Sequence, residues 1–236
     1  DVGELSGFRP PQPTWLWQRG YQDLGLPWGT NAFQFHCRTA GFMINTWGFP
    51  HARAVAGGGP HMTLQHEFLP TVPLWQRPDA ELTLQAALQL PWRFSPGGGV
   101  AQVSFVYYLR HPASGTSVAH VIALFDSRAA GDGNGGEFVA NDGFSAFASS
   151  PLADHTSAGT PPRYVTRSPY SQSMVNASAW RGARFFRAHV KREQAAAMLA
   201  RISADGLPID TDPGHWQLQS AMVFVEVIVG TGNDNN

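Results

Sequence analysis

The chain has 236 residues, a formal net charge of −1, 43% apolar residues and only 14% charged ones. Near-neutrality excludes the electrostatic footprint of a nucleic-acid or anionic-membrane binder, and the apolar content excludes wholesale disorder. A lone cysteine, Cys37, excludes an intrachain disulfide, and no apolar run approaches the ~18 residues of a membrane helix. The first residue is Asp1, with no methionine and no apolar signal core, which predicts a processed or trimmed chain. Low charge, abundant small polar residues and eight tryptophans predict a secreted or periplasmic protein.

Residues 1–30 concentrate Pro10, Pro11, Pro13, Pro27, Trp15, Trp17 and Trp28. Prolines interrupt regular central strands, so an irregular arm is predicted here. Strand signals separated by turn residues then follow. They fall at Phe33 to Arg38, Met62 to Phe68, Glu81 to Leu90, Val100 to Arg110 and Val118 to Asp126. Glu81 to Leu90 is the plainest, with leucines alternating against Glu81, Thr83 and Gln85. Further signals flank the Asn141-Asp142-Gly143 turn, at Glu137 to Ala140 and Phe144 to Ala148. Residues 149–178 read as a long surface connection with a short strand at Tyr164 to Thr166, and Arg184 to Val190 reads as another strand.

Arg192 to Ile202 is the one helix, with Ala195, Met198, Leu199 and Ile202 at the spacing of a single buried face and Gly206 placed to end it. The final strand, Trp216 to Val229, carries Trp216, Leu218, Ser220, Met222, Phe224, Glu226 and Ile228 on one alternation set. Many strands, one helix and no βαβ rhythm predict an all-β, two-sheet antiparallel jelly-roll sandwich over residues 1–236 as one domain.

Glu226 stands out because a carboxylate on an otherwise apolar strand face is costly unless it is paired, hydrated in a cleft or functional. With Trp216, Met222 and Phe224 it predicts a lined groove in which Glu226 acts as general acid/base or accepts sugar hydroxyls; the bland alternative is a paired or solvated strand-end acid. Glycoside hydrolysis asks for a second carboxylate; the candidates are Glu67, Glu81, Glu137, Asp126 and Asp142, of which Glu137 and Glu67 are the expected partners of Glu226. His120 and Asp126 share an alternation set on one strand, so a His–Asp pair is a second candidate for substrate contact, set against a satisfied core histidine. The glycine-rich loop with Asp132 and Asn134 offers oxygen ligands of the kind Ca²⁺ takes, or is simply a hairpin loop. Among nine histidines no His-x-His or His-x-x-x-His occurs, which argues against a local zinc or copper motif. No Gly-x-Ser-x-Gly elbow is present.

The closing segment, a short helix, a loop and then Phe224-Val225-Glu226 followed by Gly230-Thr231-Gly232, resembles that of the concanavalin A-like jelly-roll glucanase and lectin superfamily. In its endoglucanases a Gly-Phe-Glu step on the last strand supplies the acid/base, so the resemblance implies that role for Glu226. The family's Glu-x-Met-x-Trp strand has no counterpart here. The sequence thus predicts a carbohydrate-active sandwich that binds a polysaccharide or glycan in a concave groove and cleaves it if a carboxylate pair forms. The alternatives are a non-catalytic glycan-binding module and a structural subunit whose second face a partner covers.

Overall fold

The structure is a computed structural model and describes residues 15–20, 31–36, 39–44, 61–90, 100–126, 137–141, 146–151, 163–167 and 180–228. Its strands are β1 (Trp15–Gly20), β2 (Asn31–His36), β3 (Thr39–Ile44), β4 (His61–Val72), β5 (Glu81–Leu90) and β6 (Val100–Arg110). They continue with β7 (Ser117–Asp126), β8 (Phe138–Asn141), β9 (Ala146–Pro151), β10 (Thr166–Arg167), β11 (Trp180–Lys191) and β12 (Gln217–Ile228). The helix α1 spans Arg192–Ala204.

A seven-stranded sheet runs in the order β1-β4-β12-β6-β7-β9-β8, and a three-stranded sheet in the order β10-β11-β5. β2 and β3 form a separate hairpin, and β3 comes against β12 and β4. All pairings are antiparallel except β7 with β9. This is the jelly-roll sandwich that the alternation patterns predict. Two elements differ from expectation. Trp15–Gly20, expected within an irregular arm, pairs with β4 as an edge strand, since the prolines end before it at Pro13. Thr39–Ile44 forms β3, although its Gly41 masks the strand signal.

One core joins the two sheets. Phe105, Tyr107, Leu109, Val118, Ile122 and Leu124 of the large sheet meet Phe186, Ala188 and Val190 of β11 and the apolar side of β5. The helix closes one side of this layer with the four residues its periodicity singles out, Ala195, Met198, Leu199 and Ile202. A 13-residue helix is marginal alone, and its three large buried side chains contribute roughly 1.5–3 kcal/mol each. Gly206, at φ +106°, ends it in the left-handed region where a side chain is strained.

Two β-bulges decide which side chains meet. In β12 the register with β6 slips between Leu218 and Ser220, leaving Gln219 extra. Trp216 and Leu218 therefore lie in the core, as do Ala221 and Val223 beyond the slip, while Ser220, Met222 and Phe224 fall on the outer side. In β7 the register with β6 slips between Val103 and Ser104, leaving Leu124 extra, so Leu124 and Phe125 are both buried in the core.

Candidate functional site

The outer side of the seven-stranded sheet is laid out in rows of directly opposed residues. One row crosses four strands as His61, Glu226, Gln102 and Asp126, on β4, β12, β6 and β7. Successive rows are Thr63, Phe224, Ser104 and Ala123; Gln65, Met222, Val106 and Val121; and Glu67, Ser220, Tyr108 and Ala119. Ser104, Val106, Ser220 and Ala119 are buried, while Gln65, Glu67, Gln102, Tyr108, Met222 and Phe224 stay partly exposed around them. A sheet face that carries amides, hydroxyls and apolar side chains offers the surface chemistry that sugar rings take, since hydroxyls take hydrogen bonds and ring faces take apolar contact.

The bulges re-sort the residues that the sequence points to. Met222 and Phe224 share the outer face with the backbone position of Glu226. Trp216 does not join them: it is buried at the other end of the strand, its indole N–H donating to the Asp210 carbonyl at 2.9 Å. Asp126 is moved by the Leu124 bulge off the face of His120 and into the row of Glu226. Glu226 and Asp126 are thus two strand spacings apart, about 10 Å between backbone positions. Their side chains lie outside the described ones, as do Asp132 and Asn134 entirely.

Glu67 is on the outer face, opposite Ser220 and six positions along β12 from Glu226, about 20 Å away. Its carboxylate accepts from Gln65 Nε2 at 3.4 Å. Glu137 immediately precedes the edge strand β8, four strand spacings from β12, about 19 Å. Neither is brought to Glu226.

His120 and Glu137 instead meet in a chain of hydrogen bonds on the core side. Tyr107 Oη lies 2.9 Å from His120 Nδ1, His120 Nε2 lies 2.7 Å from Ser150 Oγ, and Ser150 Oγ donates to Glu137 Oε1 at 3.2 Å. Because Ser150 spends its proton on Glu137, it must accept from His120 Nε2–H, and His120 Nδ1 then accepts from Tyr107 O–H. The same Glu137 oxygen accepts the Tyr164 main-chain N–H at 2.8 Å, and the other faces Arg163 at 3.3 Å. Burial drives the His120 pKa down to about 3 and that of Tyr107 up, so both remain neutral. His120 is 0% exposed with both nitrogens engaged. This chain fastens the 163–165 segment to the sheet.

A third cluster escaped the reading of local histidine spacing. His111, at the β6–β7 turn, meets Asp210 and His215 of the loop before β12, with ligand atoms within 4.8 Å of one another. His111 and Asp210 are 99 positions apart in the sequence, so no linear motif reveals the cluster.

No protein-family model matches the chain, and no curated protein does. Among solved structures the chain is similar to a family 12 glycoside hydrolase at 11% identity and a TM-score of 0.45, over 94% of this chain and 92% of that one. It is also similar to a variant of the Cel12A cellulase of Rhodothermus marinus, at 13% identity and a TM-score of 0.36, over 92% and 94%. A third similarity is to the family 11 xylanase from Neocallimastix patriciarum, at 9% identity and a TM-score of 0.34, over 90% and 88%.

Proposed function

We propose that the chain binds a polysaccharide or glycan along the outer face of its seven-stranded sheet and hydrolyses it with Glu226 and Asp126. The observation that carries this reading is the row Glu226, Gln102, Asp126, which puts two acids in register across one amide. Carboxyl groups about 6.5–9.5 Å apart leave room for a water between acid and substrate, the arrangement of an inverting glycosidase. Backbone positions about 10 Å apart are compatible with that separation. In this scheme Glu226 protonates the departing glycosidic oxygen, and Asp126 takes a proton from the water that attacks the anomeric carbon. Gln102 and Gln65 offer hydroxyl contacts along this face, and Glu67 extends it some 20 Å along the strand.

A polysaccharide substrate implies action outside the cytoplasm, in the secreted or periplasmic setting that the composition suggests. Among the described residues no helix is long and apolar enough to cross a membrane. The alternative is a glycan-binding module in which Glu226 and Asp126 only accept hydroxyl bonds.

Glu226→Gln and Asp126→Asn, tested for binding and turnover on a polysaccharide panel, separate these readings. Hydrolysis by the pair predicts a loss of turnover of about 10²–10⁴-fold in each variant with binding retained, and a product of inverted anomeric configuration. Wild-type binding without turnover selects the binding module. Wild-type affinity in both variants, with no turnover in any form, removes both residues from the site.

A further inference from the structure

The cluster lies at the opposite end of β12 from the acid pair: Trp216 and Glu226 are ten positions apart, about 30 Å along an extended strand, and Trp216 is four positions, about 13 Å, beyond Ser220. Asp210 Oδ2 is 2.7 Å from His215 Nδ1 and 3.4 Å from His111 Nε2. Two imidazole nitrogens therefore converge on one carboxylate oxygen. His111 is mostly buried, its ring edge-on to Trp216 with centroids 5.2 Å apart, while His215 is exposed and leaves one side of the cluster open.

The surroundings hold these groups in place. Arg110 and Gln217 are paired across β6 and β12, which sets His111 beside the loop that carries Asp210 and His215. Gly115, at φ +72°, lets the β6–β7 turn close, with His111 N–H donating to the Thr116 carbonyl at 2.8 Å. The second oxygen of Asp210 accepts the Asp212 N–H at 2.9 Å, and its carbonyl accepts the Trp216 indole. Asp212 in turn accepts from Gly214 N–H at 2.8 Å and from Arg192 at 2.7 Å.

We propose that His111, Asp210 and His215 form a zinc-binding site that pins the β6–β7 turn to the lead-in of β12. Two imidazoles and one carboxylate suit a borderline ion such as Zn²⁺ and not the all-oxygen preference of Ca²⁺ or Mg²⁺. Three protein ligands leave a fourth position for water on the exposed side. His111 has, at its remote nitrogen, a partner of the kind that orients metal-bound histidine, while an acid lies near that of His215 beyond hydrogen-bond reach. His215 Nε2 faces Asp212 Oδ2 at 4.0 Å, and His111 Nδ1 has Ser114 Oγ at 3.1 Å. In the arrangement seen here His111 Nδ1 accepts the Ser114 main-chain N–H at 3.2 Å, so the ring proton sits on Nε2 towards Asp210. An ion bound at Nε2 requires that proton to move to Nδ1, so Nδ1 gives up the Ser114 main-chain N–H and Nδ1–H donates to Ser114 Oγ instead.

The test is a calorimetric titration of the full chain, carrying no histidine tag, with Zn²⁺. One equivalent is expected to bind at micromolar concentration or tighter, without competition from Mg²⁺ or Ca²⁺, and to raise the melting temperature. His215→Ala and Asp210→Asn, checked for fold by circular dichroism, are each expected to weaken binding at least about tenfold. His215 is 61% exposed, so its removal does not threaten folding. Co²⁺ bound in the wild type and not in His215→Ala, seen by its visible absorption, gives an independent readout. Absence of saturable Zn²⁺ binding below millimolar concentration, or equal affinity in the wild type and both variants, overturns the proposal.

Discussion

The two faces of the seven-stranded sheet use polar residues in opposite ways. On the core side Tyr107, His120, Ser150 and Glu137 form a directed chain, each proton passed to the next acceptor, ending on a carboxylate that also takes a main-chain N–H and faces an arginine. On the outer side Gln65, Glu67, Gln102 and Tyr108 are spread over successive rows, partly exposed, among small and apolar residues. A buried polar group without partners is expensive, so the core chain is committed to structure. The outer rows keep Gln65, Glu67, Gln102 and Tyr108 partly exposed. The same strands thus carry stability on one side and surface chemistry on the other.

The strongest way to break this contrast is His120→Ala. It opens a cavity and strands both Tyr107 Oη and Ser150 Oγ, and is expected to destabilise the fold by about 3–5 kcal/mol in urea denaturation. A cost near zero would mean that the buried chain is not structural. A pH series sharpens the point. With a folded pKa of about 3, His120 stays neutral while the unfolded chain takes up a proton below about pH 6.5. This group's contribution is therefore fully present above pH 6.5 and is lost as pH falls, by about 1.4 kcal/mol per unit down to about 3. His120→Gln is expected to flatten the acid limb by one proton; an unchanged slope would show that His120 does not resist protonation in the fold. The smallest effect concerns Glu137→Gln, which keeps one acceptor but loses the charge facing Arg163. A loss of about 1–3 kcal/mol is expected, with faster amide exchange at Tyr164 and unchanged turnover. A fall in turnover at full stability would put Glu137 in the chemistry and erase the division between faces.

Much of the fold was legible because alternation is a backbone property. β5 and β6 begin and end where their patterns do, and the helix buries the four residues its spacing names. What alternation cannot register is a single extra residue. The Gln219 and Leu124 bulges each reverse the phase, and that is why Trp216 leaves the predicted groove and Asp126 enters the row of Glu226. The partnership of His120 was equally hidden, since Ser150 reaches it through the parallel β7–β9 pairing, which local pattern does not encode. The His111 cluster was invisible for the same reason: only the β6–β12 ladder brings its parts together.

The position of β12 has one more consequence. Although last among the described strands in sequence, it sits between β4 and β6, bonded to both. During synthesis the ribosome must release residues 217–228 before the sheet can close, and until then β4 and β6 each present an open edge. A nascent chain stalled upstream of β12 is therefore a half-built sheet with a slot at its centre. A free peptide spanning β12 is the natural piece to fill that slot, or to block it.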